Sequence, residues 1–301
     1  MNKIFVFLAT LEVAFSVSAQ GPTRFVNTIA DLQLIDPDAA SVGGSLAYTV
    51  AGRTTVGDWG TPRVLRYAAG SVETVDDGCV FATLTFGRWI ADDCSGAAFD
   101  PRWFGAVPDD LNDDTTAMLA TFSAAGARSS IYIPQGRFII TQPLPLVDRV
   151  HVHGEGAGSM IAVANTNGIA FWNPTPGTRV YEIFLEKFAI NTALGARGHI
   201  AVSLTNISYA RLEKLVIHAY NGLGFQYGVK PWGDSPSSVG GAWSSSMVSC
   251  SIYVYPRPGE PAYAFHGDGG PQWGHGPNSW RIIDNYLNVQ PVIAGGITNY
   301  G

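Results

Sequence analysis

Two near copies constrain the fold of this chain more than any other feature: LEKFAI at 185–190 and LEKLVI at 212–217, 27 residues apart. A repeat of that length is one supersecondary unit, which cannot bury its own apolar face, so neighbouring units must stack into a solenoid. One strand class begins near a small residue: GIAFW from 168, GHIAVSL from 198, GLGFQYG from 222, AYAFHG from 262 and GGITNYG from 295. A second class alternates with it in IFLEKFAI, ARLEKLVI, MVSCSIYV and WRIIDNYLNV. Each unit is expected to contribute two short strands plus turns. Period-2 alternation sends Phe188 and Ile190, then Leu215 and Ile217, inward and leaves the preceding Glu and Lys in solvent. GGITNYG reads as the opening strand of another rung with no polar cap after it. A solenoid needs such a cap, so the array is expected to continue or to be covered by another segment or subunit.

Composition agrees with short strands and many turns. Charged residues make up 14% of the chain, against 35 Gly and a large share of aromatic residues, which argues against disorder. A net charge of −6 leaves no basic footprint, so nucleic acid is not an expected partner. The opening MNKIFVFLATLEVAFSVSAQ has one Lys, an apolar run, and Val17-Ser18-Ala19 before Gln20, the pattern of a secretory signal cleaved after Ala19. Glu12 interrupts that run, and the alternative is the N-terminal segment of a virion protein. No other stretch is long and apolar enough for a transmembrane helix, so no membrane contact is expected after cleavage. Residues 20–99 read as a small β-rich module, with a short helix in VNTIADLQLI and strands in SLAYTVAG, RVLRYAAG, CVFATLTF and RWIAD. Cys79 and Cys94 flank a hairpin and can pair in an oxidising compartment, whereas Cys250 reads as a small buried hydrophobe.

Residues 100–161 order four local signals. Asp113, Asp114 and Thr115 crowd a helix N-terminus, Ala117, Met118, Ala120, Thr121 and Phe122 give a short apolar face, and Gly126 stops the helix. IYIPQGRFII is strand–turn–strand, and HGEGAGSMI is a Gly-rich corner leading into another strand. This order resembles the opening of the right-handed parallel β-helix of the pectate-lyase superfamily, especially the branch of phage tailspike depolymerases and secreted polysaccharide-degrading enzymes. Trp103 to Ala106, Asp113 to Thr115, Tyr132 to Phe138 and Gly154 to Ser159 fill its WFGA, DDT, Y-x-P-x-G and GEGAGS slots. Val107-Pro108-Asp109-Asp110 departs from the usual G-D-G turn. GDWGTPRVLRYAAGS with the later GRWI is similar, more loosely, to the module that precedes such β-helices. The resemblance implies an all-β chain: a right-handed parallel β-helix over 100–301 with one N-terminal capping helix, preceded by the small module. It implies a polysaccharide partner, a secreted or virion location, and assembly as a homotrimer. A fold of this kind hosts many reactions, so the bond cleaved stays open between hydrolysis and β-elimination.

Two consecutive rungs carry enlarged loops after their first strand, Val229 to Trp243 and Gly267 to Trp280. At the same place on adjacent rungs they lie about 5 Å apart at their bases. They gather Asp234, Asp268 and His266 as acid or base candidates, and Trp232, Trp243, Trp273 and His275 as sugar contacts. Long turns use Gly, Pro, Asp and Ser whatever their function, and a Trp at a loop end also serves as a lid over the core. Asp234 and Asp268 are the carboxylate pair a glycosidase needs, with Glu260 and Asp284 behind them. A lyase needs a base and a cation such as Ca²⁺, but no D-x-D-type calcium loop is present and Lys230, Arg257 and Arg281 do not cluster in sequence; no cofactor is otherwise expected. Glu155 reads as part of a structural turn, and His151 with His153 as a hydrogen-bonded pair lacking a third metal ligand. The alternative function is a non-catalytic tailspike or adhesin segment that binds glycans or holds an assembly together.

Overall fold

The computed structural model describes residues 24–37, 46–84, 86–96, 98–109, 111–175, 177–219, 222–233, 241–257, 259–267 and 279–290. The expected leader and GGITNYG lie outside them. Thr28 and Asp31 form a reciprocal cap on α1 (Ile29–Gln33), which accompanies a five-stranded sheet in the order β1-β2-β3-β5-β4. Its strands are β1 (Arg24–Val26), β2 (Ala47–Val50), β3 (Arg63–Ala68), β4 (Val80–Ala82) and β5 (Arg88–Ala91). β4 and β5 form the expected antiparallel pair, and Cys79 is bonded to Cys94 across it. Arg63 is buried in this module. Its guanidinium lies 4.9 Å from the Trp59 ring and 4.0 Å from the Trp103 ring, pairs with Asp93 (Nη2 to Oδ1 2.6 Å, Nε to Oδ2 2.8 Å), and donates Nη1 to Gly78 O at 2.6 Å. Trp103 belongs to the turn that opens the solenoid, so Arg63 fastens the small sheet to the solenoid.

The expected helix is α2 (Thr115–Ala125), with Met118, Thr121 and Phe122 buried. Asp113 meets the Thr115 N–H at 2.9 Å, as a capping carboxylate does. Asp114 departs from that expectation. Its carboxylate makes no cap bond and accepts instead from the N–H of Val107 at 2.8 Å and of Ile139 at 2.9 Å. Buried between the opening turn and the first rung, it ties them together through their orphan donors.

The rest coils as a right-handed parallel β-helix, the sense parallel crossovers adopt. One ladder is β6 (Ser130–Ile133), β9 (His151–Gly154), β13 (Phe184–Glu186), β17 (Arg211–Glu213), β20 (Ser246–Val248) and β23 (Arg281–Ile283). A second is β7 (Gly136–Ile140), β10 (Ser159–Val163), β14 (Ala189–Thr192), β18 (Val216–His218), β21 (Ser251–Val254) and β24 (Tyr286–Val289). A third is β8 (Leu144–Pro145), β11 (Ile169–Trp172), β15 (Gly198–Thr205), β19 (Phe225–Trp232) and β22 (Tyr263–Phe265), beside the short pair β12 (Val180–Tyr181) and β16 (Ile207–Ser208). Ile131, Val152, Leu185, Leu212 and Met247 stack in register on the first ladder, and Phe138, Ile161, Ile190, Ile217 and Ile252 on the second, all fully buried. Each such side chain contributes about 1.5–3 kcal/mol of transfer free energy.

The unit differs from expectation in one respect: LEKFAI and its relatives are two strands, not one. The chain turns at Lys187, Lys214, Ser249 and Asp284, whose φ angles of 55°, 52°, 52° and 51° lie in the left-handed region. Each of the first three donates its N–H to the next rung, to Glu213, Val248 and Ile283 O, at 3.0 Å. Phe188 and Leu215 still point into the core with Ile190 and Ile217, and the bend at Lys187 and Lys214 brings them to the same side as Leu185 and Leu212, three residues earlier.

Candidate functional site

On the third ladder the parallel register sets Tyr227 directly beside Tyr263, with their rings stacked 5.6 Å apart at 14°. His266 lies just beyond β22 and places its imidazole 4.4 Å from the Tyr263 ring and 5.4 Å from the Tyr227 ring. His199, on β15, meets Tyr227 edge-on at 5.3 Å. Lys230 Nζ stands 4.9 Å from the Tyr227 ring and 5.2 Å from the Trp232 ring, a cation held over two aromatic faces. Glu260 accepts from Gln226 Nε2 at 3.1 Å and lies 3.9 Å from Arg257 Nε. Thus β15, β19, β22 and the corner before β22 bring a lysine, an arginine, a pair of imidazoles, a carboxylate and three large rings to one strip.

Burial lowers the His199 pKa, and the charges of Arg257 and Lys230 lower it further against the pull of Glu260. His199 is therefore a neutral imidazole at neutral pH, able to take a proton. Trp232 Nε1, His266 Nδ1 and Arg257 Nε are buried without a hydrogen-bond partner among the described residues.

Of the residues singled out from sequence, His266 and Trp232 are both drawn to this strip, bridged by Tyr227 and Lys230. Trp232 is the last residue of β19 and not part of a loop. Trp243 belongs to the following corner. Its N–H donates to Ser208 Oγ at 3.4 Å, its carbonyl accepts from the Tyr209 N–H at 2.8 Å, and the Arg179 guanidinium covers its ring at 4.2 Å. Asp234, Asp268, Trp273 and His275 lie outside the described residues. His199, Tyr227 and Tyr263 were read from sequence only as strand residues. Aligned from their first residues, GLGFQYG and AYAFHG match Phe225 to Phe265 and Tyr227 to Gly267, whereas the ladder pairs Tyr227 with Tyr263, so the strings did not give the pairing away.

A second titratable group, on the first ladder, is saturated by its own partners. Glu186 and Glu213 are register neighbours. Lys187 pairs with Glu186 at 2.5 Å and His151 with it at 3.3 Å, while Arg211 and Lys214 hold Glu213 at 2.5 Å and 3.2 Å. Hydrogen bonding to Lys187, and to Arg211 and Lys214, keeps these carboxyls below the usual range, so neither is suited to donate a proton. Glu155 accepts the Tyr132 hydroxyl, and burial with that bond pushes Tyr132 up to about 12. His151 stacks flat on Phe184 at 4.5 Å. Among the described residues no cluster of three or more His, Cys, Asp or Glu is arranged to hold a metal ion, and no helix is long and apolar enough to cross a membrane.

Residues 102–203 match the family model described as rhamnogalacturonase A/epimerase, pectate lyase-like. No curated protein matches the chain. Among solved structures, the tailspike gp49 of Acinetobacter baumannii bacteriophage Fri1, a capsular polysaccharide depolymerase, aligns with a TM-score of 0.60 at 12% identity over 89% of this chain and 53% of its own. The enzymatically active domain of bacteriophage CBA120 tailspike protein 2 gives 0.55 at 14% identity over 86% and 40%. The gp42 tailspike of Acinetobacter phage vb_AbaP_AS12 gives 0.55 at 14% over 79% and 40%. The chain thus spans about half or less of each of these structures.

Proposed function

We propose that this pectate-lyase-type β-helix, similar to those of phage tailspikes, engages and cleaves an extracellular polysaccharide along its third ladder. The register-matched Tyr227 and Tyr263, flanked by Lys230, Glu260, His199 and His266, carry this reading. Rings, a cation and a neutral imidazole, His199, along a face of stacked strands are what a hydroxylated polymer requires. In this reading Asp234, Asp268 and His266 supply acid and base, with Glu260, bonded to Gln226 beside Tyr227, as a further carboxylate. Trp232, Trp243, Trp273 and His275 are the sugar contacts. Its place of action is outside the cell, as a secreted enzyme or as part of a virion.

The test is a depolymerisation assay on acidic and neutral bacterial polysaccharides that reads new reducing ends and the ultraviolet absorbance of an unsaturated uronate. Reducing ends alone mean hydrolysis, and both signals mean β-elimination. Asp234→Asn, Asp268→Asn and Glu260→Gln are each assayed, and loss of an acid or base lowers kcat by about 10²–10⁴-fold. Retention of polysaccharide by the folded protein with neither signal assigns it to the non-catalytic, glycan-binding alternative.

A further inference from the structure

A separate group of rings lies on the second ladder. Register pairs Ile217 with Ile252 and Tyr253 with Asn288, so His218, Tyr253 and Asn288 occupy one position on three consecutive rungs. The Tyr253 ring meets His218 edge-on at 4.6 Å and lies 5.4 Å from the half-exposed Tyr286 ring. Tyr255 closes the group, its hydroxyl 3.4 Å from His218 Nε2. Its ring rests on Gly224, where φ is 74° and a Cβ would stand 2.0 Å from the ring. Any other residue at 224 would displace Tyr255, so the glycine is the seat of that ring. Tyr255 is therefore held in place before a ligand arrives, which lowers the entropy lost on binding. Burial depresses the His218 pKa, leaving a neutral imidazole with one donor and one acceptor. His218, Ser251, Tyr253, Tyr255, Tyr286 and Asn288 carry no charge at neutral pH.

We propose that this strip is a second saccharide site, which holds an uncharged stretch of polysaccharide beside the third-ladder strip. Three features select that ligand. Tyrosine rings and neutral donors and acceptors match pyranose faces and hydroxyls. No charged side chain among these six would compensate an anionic group. The positions repeat at the strand spacing of about 4.8 Å, a step similar to that of an extended pyranose chain, so one sugar faces one rung. The inference rests on the reading that the protein engages polysaccharide, and the strip would anchor the polymer while the third ladder acts on it.

The test is binding of the protein to a printed array of bacterial capsular and O-antigen polysaccharides. Wild type is compared with Tyr253→Ala/Tyr286→Ala, His218→Ala, Tyr253→Phe and the third-ladder variant Tyr227→Ala/Tyr263→Ala, each checked for an unchanged far-ultraviolet dichroism spectrum and a cooperative unfolding transition. On a neutral polysaccharide that wild type retains, the Tyr253→Ala/Tyr286→Ala variant is expected to bind roughly tenfold more weakly, while Tyr253→Phe binds as wild type. If His218→Ala and the double variant bind as wild type and only the third-ladder variant loses affinity, this strip is overturned and the third-ladder reading stands. Retention of anionic polysaccharides alone also overturns it. Retention of no polysaccharide by wild type removes both readings. Concentration-dependent self-association that the double variant abolishes, with glycan binding intact, makes the strip a protein contact instead.

Discussion

Glu186 and Glu213 sit one above the other with cations on either side, and that placement sets their energetics. Both carboxyls are held below the ordinary glutamate value of 4.5, Glu186 chiefly by Lys187 and Glu213 by Arg211 and then Lys214. A folded-state pKa below the unfolded one adds stability that is complete above the unfolded value and is lost as pH falls through the folded one. The denaturant midpoints of wild type and Glu186→Gln should therefore differ at pH 7 and converge as pH drops below 4.5. A gap of constant size across that range would refute the assignment. At this scale the sequence was a partial guide. It marked Asp113 and Asp114 as a helix-capping pair, but Asp114 is taken by the N–H groups of Val107 and Ile139. Which donor a short carboxylate meets depends on the chain 25 residues further on, and no local pattern records that.

The tight turn between the first and second ladders is the element that alternation alone did not reveal. Lys187, Lys214, Ser249 and Asp284 all adopt positive φ, although none is the glycine or asparagine that announces such a bend. The N–H groups of the first three continue the ladder through the corner, and these bonds offset the backbone strain. A β-branched side chain crowds that conformation most. Lys214→Val is expected to destabilise the protein by about 1–2 kcal/mol, read as a shift in urea midpoint, whereas Lys214→Gly should leave it near wild type. Equal losses in both variants would mean that the Lys214 side chain, and not the backbone, holds the corner. The second-ladder strands were legible because Phe188 with Ile190, and Leu215 with Ile217, fall on one buried face. The bend is recorded only as a slip in that alternation, because Leu185 and Phe188, like Leu212 and Leu215, are both buried three residues apart.

Across the whole molecule, the repeat predicted the solenoid and the Trp103–Ala106 motif predicted its opening. Neither foresaw that Arg63 would join the first module to the second by lying between Trp59 and Trp103. That contact is distant in sequence and has no periodicity to betray it. Arg63→Ala leaves the partly exposed Asp93 without its partner and empties the space between two indoles. It should cost about 3 kcal/mol, seen as a lowered unfolding midpoint and faster proteolysis between the sheet and the β-helix. Unchanged proteolysis would mean that the two parts are held by other contacts. The candidate groove was legible only in part. His266 and Trp232 converge on it, but its stacked tyrosines depend on register, and register is a property of two rungs together.

Spacing between matched positions along the first ladder is uneven: Val152 to Leu185, Leu185 to Leu212, and Leu212 to Met247 enclose different lengths of chain. Yet Glu186 and Ala189, Glu213 and Val216, Val248 and Ser251, and Ile283 and Tyr286 are always separated by the same two residues. In these four rungs the slack is confined to the corners on either side of the third ladder, whereas the earlier corner from Gly154 to Ser159 holds four residues. A lineage carrying this scaffold can lengthen, exchange or recombine those corner segments while the stacked columns of the first two ladders keep their register. Its recognition of the outside world can therefore drift rapidly while its folding instructions stay the same.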